Sequence, residues 1–499
     1  MKMFEKVLVA NRGEIAIRIF NTLRDLGIRS VAIYSEADRE SPHVIAADEA
    51  YEIGPPPAAE SYLQFNKIIE VAKMAKCDAI HPGYGFLSEN PRFVEAVQKA
   101  GLIFIGPSAN AMRQMGDKSE ARQLAEQAGV RITPGVSAMH DPKEIEKAAL
   151  KLGLPVLLKA AAGGGGKGMR RILESREVAE AIGAAQREAQ ASFGDSRLIV
   201  EKFIQPARHI EVQIIADQHG NTVALGEREC SLQRRHQKII EESPSPVMNK
   251  KLREELQTAA CRLAEAVGYT NAGTIEFLLG PNNSFYFMEM NTRLQVEHPV
   301  TEAVTGVDLV RLQLEVASGK RLPLKQKDVQ LRGHAIEARL YAEDPNREFL
   351  PMTGEILALQ WPNLPGFRVD SGIVAYQKIH AHYDPMLAKL IAWGPDREQA
   401  RQRLIQALCQ TVILGFTTNR DFLIELLKSA GFSSGETYTG TLASWMSERE
   451  LSQELDSELL LAAALAAESS LTKQATNSIS GQQDPYSPWK SLGGWRHLD

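Results

Sequence analysis

Two periodicities alternate along the first part of the chain. A short apolar run at 6–10 leads through Asn11-Arg12-Gly13-Glu14 into a helical stripe, Ile15, Ile19, Leu23 and Leu26. Gly27 ends it, and a second apolar run follows at 30–34. Strand-length runs joined by a helical period predict a β-α-β unit of doubly wound type. The unit recurs, with helices over 65–75 and 91–100 and strands near 79–80 and 103–105. Between them lies His81-Pro82-Gly83-Tyr84-Gly85-Phe86-Leu87-Ser88-Glu89-Asn90. A loop at the carboxyl end of a strand is where such sheets bind ligands; a tight structural turn is the other reading. The full G-x-G-x-x-G fingerprint is missing, so a dinucleotide is not implied.

The pattern then predicts a helical region over 112–128, stopped by Gly129, and a strand at 155–160 that carries Lys159. Gly163-Gly164-Gly165-Gly166-Lys167-Gly168 follows, and then a strand at 169–173. A Walker A loop would need Ser or Thr after its Lys. Glycines let backbone N–H groups approach phosphate oxygens. The run therefore reads as a mobile phosphate-covering hairpin rather than a linker. Strands are expected at 198–204 and 209–215. A polar cluster, Glu227 to Lys238, is bracketed by apolar strands at 222–225 and 239–240. Bracketing of that kind favours anion binding over a solvated face. A helix over 251–267 completes this stretch.

Residues 274–290 read as a β-hairpin, broken at Gly280-Pro281-Asn282-Asn283-Ser284 by strong turn formers. A loop at 281–284 places Glu276 opposite Glu289. Facing carboxylates destabilise a ladder unless a dication lies between them, and oxygen ligands are what Mg²⁺ takes. Asn291 follows Glu289 at the strand period and shares its side. Arg293, Gln295, Glu297 and His298 come next. Two solvated acids on a surface hairpin are the competing reading. Further on, a helix over 308–318, alternation at 332–341, a strand at 387–393 and a helix over 398–409 predict an α+β domain. Beyond about 445 a short helix precedes a Ser/Thr/Gln-rich linker at 469–483 and a tail with Trp489 and Trp495, which reads as a docking segment.

A chain of 499 residues is long enough for about two to four domains. The net charge of −5 indicates neither a nucleic-acid coat nor an anionic-membrane binder. Cys77, Cys230, Cys261 and Cys409 form no CxxC pair, which suits a reducing compartment such as the cytoplasm. No signal peptide or bilayer-length apolar run is expected.

Ala10 to Ala16, His81 to Asn90, Met115-Gly116-Asp117-Lys118, Gly163 to Arg170, Gln233 to Lys238 and EMNTRLQVEHPVTE at 289–302 together resemble biotin carboxylase, an ATP-grasp enzyme. The resemblance covers about residues 1–445. Ala161-Ala162 and Lys167 are small departures in a loop whose backbone does the binding. The resemblance implies an α/β protein: a Rossmann-like pre-ATP-grasp domain (1–115), an ATP-grasp domain (116–330) with a mobile lid (133–203), an α+β C-terminal domain (331–447), and a linker with a possible partner-binding start (448–499). It implies ATP phosphates on Lys118, Lys159 and the Gly165-Gly166 backbone, with Mg²⁺ or Mn²⁺ on Glu276, Glu289 and Asn291. Adenine falls to Glu201, Lys202, Phe203 and Ile204, and the ribose and its surroundings to His209, Gln233 and His236. Bicarbonate falls to Lys238, Arg293, Gln295 and Val296. Glu297 is the implied general base, Arg339 the stabiliser of the biotin enolate, and Tyr84 a neighbour of the biotin pocket. Implied partners are a biotin carrier protein or domain and a carboxyltransferase subunit, in a homodimer or larger complex.

Another ATP-grasp ligase and an inactive structural subunit are the alternatives. His382 to Leu390 and the tail resemble acyl-CoA carboxylase α chains, of the methylcrotonyl- or propionyl-CoA type, in which a partner-binding domain and a biotin carrier follow; this chain is expected to stop as such a domain would begin. Val71-Ala72-Lys73-Met74 approaches the biotin-attachment motif Ala-Met-Lys-Met, but the Met before the Lys is absent and a helix is expected there. The chain is therefore expected not to be biotinylated itself.

Overall fold

The computed structural model describes residues 3–162, 168–235 and 237–448. Residues 163–167, His236 and 449–499 lie outside them, and with them the Gly165-Gly166 expectation and the tail. Residues 1–447 form one compact unit.

Val7, Leu8, Val9, Val31, Ala32 and Ile33 are fully buried, as apolar runs covered on both faces must be. They sit in a five-stranded parallel sheet ordered Glu49–Gly54, Arg29–Ser35, Lys6–Val9, Ala79–His81, Ile103–Phe104. The helix Gly13–Asp25 starts as the first strand ends. The expected helix over 112–128 is two helices, Ala109–Gly116 and Lys118–Gln127. Asp117 divides them because its carboxylate accepts from the Ser119 and Glu120 N–H groups, at 2.9 and 3.1 Å. The Lys118 N–H donates to Ala161 O at 3.0 Å, which sets Lys118 beside the end of the Lys159 strand.

A four-stranded sheet, Gly135–Met139, Leu198–Lys202, Val156–Ala160 and Arg170–Ile172, packs with the helices Pro142–Leu152 and Val178–Phe193 around a core of its own.

The largest element is an antiparallel sheet of eight strands. In spatial order they are Phe285–Asn291, Asn271–Leu279, Arg208–Ala216, Thr222–Arg234, Gln237–Ser243, His334–Tyr341, Met386–Gly394 and Phe367–Ser371. Backbone pairing of Gln237–Ser243 with His334–Tyr341 carries the sheet through the 330/331 boundary. The strand Thr222–Arg234 also runs through the polar cluster expected to lie between strands. It can do so because the charges are paired internally. Arg228 is fully buried and bonds Glu211, Gln213, Thr274 and Thr301. Arg228 thus serves the sheet rather than an anion.

The hairpin register differs in one respect. Gly280 donates to Ser284 O across a five-residue loop, so Leu279 faces Phe285 and Phe277 faces Phe287. That is one residue out of the expected register. An irregularity between Glu276 and Phe277, at Met288 on the partner strand, takes up the extra residue and restores Glu276 opposite Glu289.

Candidate active site

A cleft of about 1190 Å³ is lined by the helix start at Asn11–Ile15, the Tyr84–Phe86 loop, Lys118, Lys159 and the face of the eight-stranded sheet. Asn11 shapes the loop: its Nδ2 donates to Pro82 O and Tyr84 O, both at 2.7 Å. Gly83 has φ +63°, and a Cβ there would lie 2.9 Å from Asn11 Nδ2, so both conformation and space call for glycine. The Tyr84 hydroxyl donates to Glu14.

Cross-strand register lines up the acids. Glu289 faces Glu276, Glu276 faces Glu211, and Glu211 faces Arg228. Side chains directly opposite in a ladder share a face. Lys238 enters this row from the next strand and binds Glu211 at 2.5 Å, Glu276 at 2.9 Å and Glu297 at 2.6 Å. Arg339 donates to Glu297 Oε2 at 2.9 Å and, through Nε, to Glu241 Oε1 at 2.6 Å. Glu297, fully buried, therefore lies between an ammonium and a guanidinium.

Burial opposes ionisation of Glu297, but Lys238, Arg339 and Arg228 outweigh it and hold its pKa well below the usual carboxylate range. The carboxylate is thus present in the form a base requires. Burial likewise works against Glu276, where Lys238 and His209 prevail and keep it ionised. For Lys238 burial is overcome by Glu211, Glu276 and Glu297, which raise its pKa well above the usual value.

Lys118, Lys159, His209, Gln233, Lys238, Glu276, Glu289, Asn291, Arg293, Gln295, Val296, Arg339 and Tyr84 all line the cleft. Arg293 donates to Glu89 at 3.0 Å and to Gln295 Oε1 at 3.0 Å. The segment 201–204 does not line it. Glu201 is buried against Lys159 at 2.6 Å and against Arg122. Lys202 Nζ donates to Gly153 O at 2.7 Å, and the Phe203 N–H to Pro155 O at 3.1 Å.

Glu276, Glu289 and Asn291 offer two carboxylates and an amide oxygen from adjacent positions beside Lys118, a hard donor set that fits Mg²⁺. Facing carboxylates repel, and each turns to a cation of the chain. Glu276 bonds Lys238 and lies 3.0 Å from His209 Nε2, while Glu289 approaches Lys118 at 3.5 Å. Asn291 presents Nδ2 to Glu276 at 2.7 Å, and half a turn of the amide would exchange nitrogen for oxygen. Among the described residues, two groups bring possible ligand atoms within 4.8 Å of one another: His209, Glu211 and Glu276, and Glu211, Cys230 and Glu297.

Glu211, Glu241, Glu89 and Lys389 were not singled out from the sequence. Glu211 had a signal: it follows His209 at the strand period. Glu241 and Lys389 depend on which strands become neighbours, and Glu89 on where the 82–90 loop meets Arg293. Lys389, fully buried, donates to Val296 O at 3.0 Å and lies 3.2 Å from Glu14.

Three family models match: "Biotin carboxylase, N-terminal domain" over 3–112, "Carbamoyl-phosphate synthase L chain, ATP binding domain" over 117–325 and "Biotin carboxylase C-terminal domain" over 337–444. Together with the cleft, they define an ATP-grasp ligase. Biotin carboxylase 2 of Bacillus subtilis is 50% identical over 88% of this chain and 99% of its own. The mitochondrial methylcrotonoyl-CoA carboxylase subunit alpha of Dictyostelium discoideum is 48% identical over 99% of this chain and 71% of its own. A Hydrogenobacter thermophilus structure, the biotin carboxylase domain dimer of 2-oxoglutarate carboxylase with MgADP, ADP and bicarbonate, matches with a TM-score of 0.87 at 42% identity, covering 89% of this chain and 98% of that one. The chain belongs to the biotin carboxylase family, and its reaction is the ATP-dependent carboxylation of biotin. It spans from 59% to 71% of the length of the methylcrotonoyl-CoA carboxylase alpha subunits it matches. No helix among the described residues is long and apolar enough to cross a membrane.

Proposed function

We propose that this chain is the biotin carboxylase component of an acyl-CoA carboxylase, in which Glu297 and Arg339 serve successive nucleophiles. The run Lys238–Glu297–Arg339, joined by contacts of 2.6 and 2.9 Å, carries the two catalytic roles, and the likeness to a methylcrotonoyl-CoA carboxylase alpha subunit supports the acyl-CoA assignment. Bicarbonate is small and anionic and suits Lys238, Arg293, Gln295 and the Val296 backbone. Glu297 takes its proton as its oxygen attacks the γ-phosphorus of ATP, and ADP leaves. The resulting carboxyphosphate breaks its C–O bond to give CO₂ and phosphate. Phosphate accepts the ureido N–H proton of biotin, and the freed nitrogen bonds CO₂. Arg339 stabilises the negative charge that develops on the ureido oxygen, because a guanidinium stays charged at any working pH. Lys118 and Lys159 neutralise phosphate charge. Glu276, Glu289 and Asn291 would hold Mg²⁺, which would supply neutralisation of the phosphate charge.

We assign 1–115, 116–330 and 331–447 as the three enzyme domains. The 133–203 region acts as a lid that keeps water from carboxyphosphate, for which a separate hydrophobic core suits it. We also assign the glycine run and His236 to nucleotide binding. A homodimer is the proposed assembly, with a biotin carrier and a carboxyltransferase as partners. Four free cysteines suit a reducing compartment, and we place the protein in the cytoplasm.

The test separates the two half-reactions. Glu297→Gln should lose bicarbonate-dependent ATP cleavage by about a hundredfold or more, since the proton acceptor is gone. Arg339→Ala should impair carboxylation of free biotin far more than ATP cleavage. Equal losses in both assays for both variants would refute the division of roles.

A further inference from the structure

Behind Arg339 lies a second acidic pair that the roles above leave unused. Glu241 and Glu337 face each other on adjacent antiparallel strands, and neither side chain reaches solvent. Residues so placed have their Cβ atoms about 5 Å apart. One oxygen of Glu241 is spent on Arg339 and the other, Oε2, has no partner. Both oxygens of Glu337 are also without one. Two facing buried carboxylates with three unpartnered oxygens between them are costly unless one keeps its proton.

We propose that Glu337 is a positioning residue for biotin carboxylation: it keeps its carboxyl proton and donates it to the free oxygen of Glu241, the carboxylate that holds Arg339 by Nε. The proposal rests on the role given to Arg339 above. No bond other than this hydrogen bond is made or broken.

The surroundings favour one shared proton. Around Glu337 stand Lys389 on Met386–Gly394, Glu241 on Gln237–Ser243, Arg339 on its own strand, and Glu297 just before the helix His298–Thr305. That helix also carries His298, kept neutral first by burial and then by Lys389 and Arg18, and Glu302, paired with Arg18 and Arg368. The helices Arg397–Gln410 and Arg420–Lys428 belong to the other face, against Ile336, Ala338 and Leu340. Burial raises the pKa of Glu337 well above the carboxylate range; Lys389 opposes this and Glu241 reinforces it. Glu241 is itself pushed up to about 7, by burial first, with Arg339 opposing. A charged Glu337 would add an anion to a cluster that already sets Glu211, Glu241, Glu276 and Glu297 against Arg228, Lys238 and Arg339. It would do so where bicarbonate and the ureido oxygen need positive potential. A neutral acid instead fixes Glu241, and through it the guanidinium plane.

Infrared spectroscopy of the full-length protein at neutral pH tests the proton directly. The carbonyl stretch of a protonated carboxylic acid should be present and should disappear in Glu337→Gln. Kinetics with free biotin test the positioning. Glu337→Leu leaves Glu241 Oε2 unpaired and should lower kcat for biotin carboxylation about tenfold while changing bicarbonate-dependent ATP cleavage less than about twofold. Glu337→Gln, whose amide N–H can replace the acid proton, should restore most of the loss. Equal kcat values for the Leu and Gln variants, or no band lost in Glu337→Gln, would overturn the proposal. If the Leu variant does not fold, the band in Glu337→Gln decides. Arg339→Ala, run alongside, reports separately on the role of Arg339.

Discussion

At the scale of single residues, Glu276 and Glu289 differ in what else they hold. Glu276 is buried, bonds Lys238 at 2.9 Å and lies 3.0 Å from His209 Nε2. Glu289 is part-exposed, and its side chain approaches Lys118 at 3.5 Å. Replacing either by Gln should raise the Mg²⁺ concentration needed for half-maximal ATP cleavage by about tenfold or more, since a charged ligand is lost. Glu276→Gln should in addition weaken bicarbonate dependence, because Lys238 loses one of its three carboxylates. Glu289→Gln should leave the KM for bicarbonate unchanged. Metal titrations at fixed ATP, followed by bicarbonate titrations at saturating metal, separate the two effects. A wild-type metal requirement in either variant would remove that residue from the proposed metal site.

At the scale of elements, local pattern carried much of the fold and register carried the rest. The helix Phe65–Met74 and the strands Val156–Ala160 and His334–Tyr341 lie close to where periodicity places them. The Glu276–Glu289 pair was also legible, although the real loop is a residue longer and a bulge restores the match. The division at Asp117 is readable in retrospect, since Asp favours a helix start. The alignment of Glu211 with Glu276, and of Glu241 with Glu337, was not legible, because pairing of distant strands leaves no local periodicity.

The parallel sheet carries its own pH signature. His43 is buried beside Asp38 and Arg12, with Nε2 3.3 Å from Ile33 O. Burial lowers its pKa to about 4, with Asp38 opposing. A depressed folded-state value means that His43 contributes stability above the unfolded pKa near 6.5, and that this is lost as pH falls toward 4. Between pH 7.5 and pH 5 the loss attributable to His43 should be about 2 kcal/mol. His43→Gln should therefore lose less stability than the wild type over that interval, measured as the shift in urea midpoint. Equal shifts in the two proteins would show that His43 titrates normally.

At the scale of the whole molecule, the cleft is assembled from distant parts of the chain. Lys389 ties the Val296 carbonyl to Glu14 of the first helix. Gly372 packs so closely on that helix that a Cβ would lie 2.5 Å from the Glu14 nitrogen. Such a built-in reaction centre still needs biotin to be delivered, and the one sequence that approaches an attachment motif is poorly placed to deliver it. Lys73 is exposed in the last turn of Phe65–Met74, a helix whose Ile68, Ile69 and Ala72 are buried. A biotin-accepting Lys is presented at a hairpin tip, whereas Lys73 lies on the exposed side of a helix anchored by Ile68, Ile69 and Ala72, which gives it no arm with which to reach the cleft. The 499-residue chain should therefore remain unmodified when co-expressed with a biotin ligase, and should carboxylate a separate biotinylated carrier domain with at least about a hundredfold higher kcat/KM than free biotin. Intact mass after co-expression checks the first expectation, and an increase of one biotin would place the carrier function within these residues. Carboxylation kinetics with the two substrates check the second, and equal kcat/KM values would mean that the carrier protein makes no productive contact with this chain.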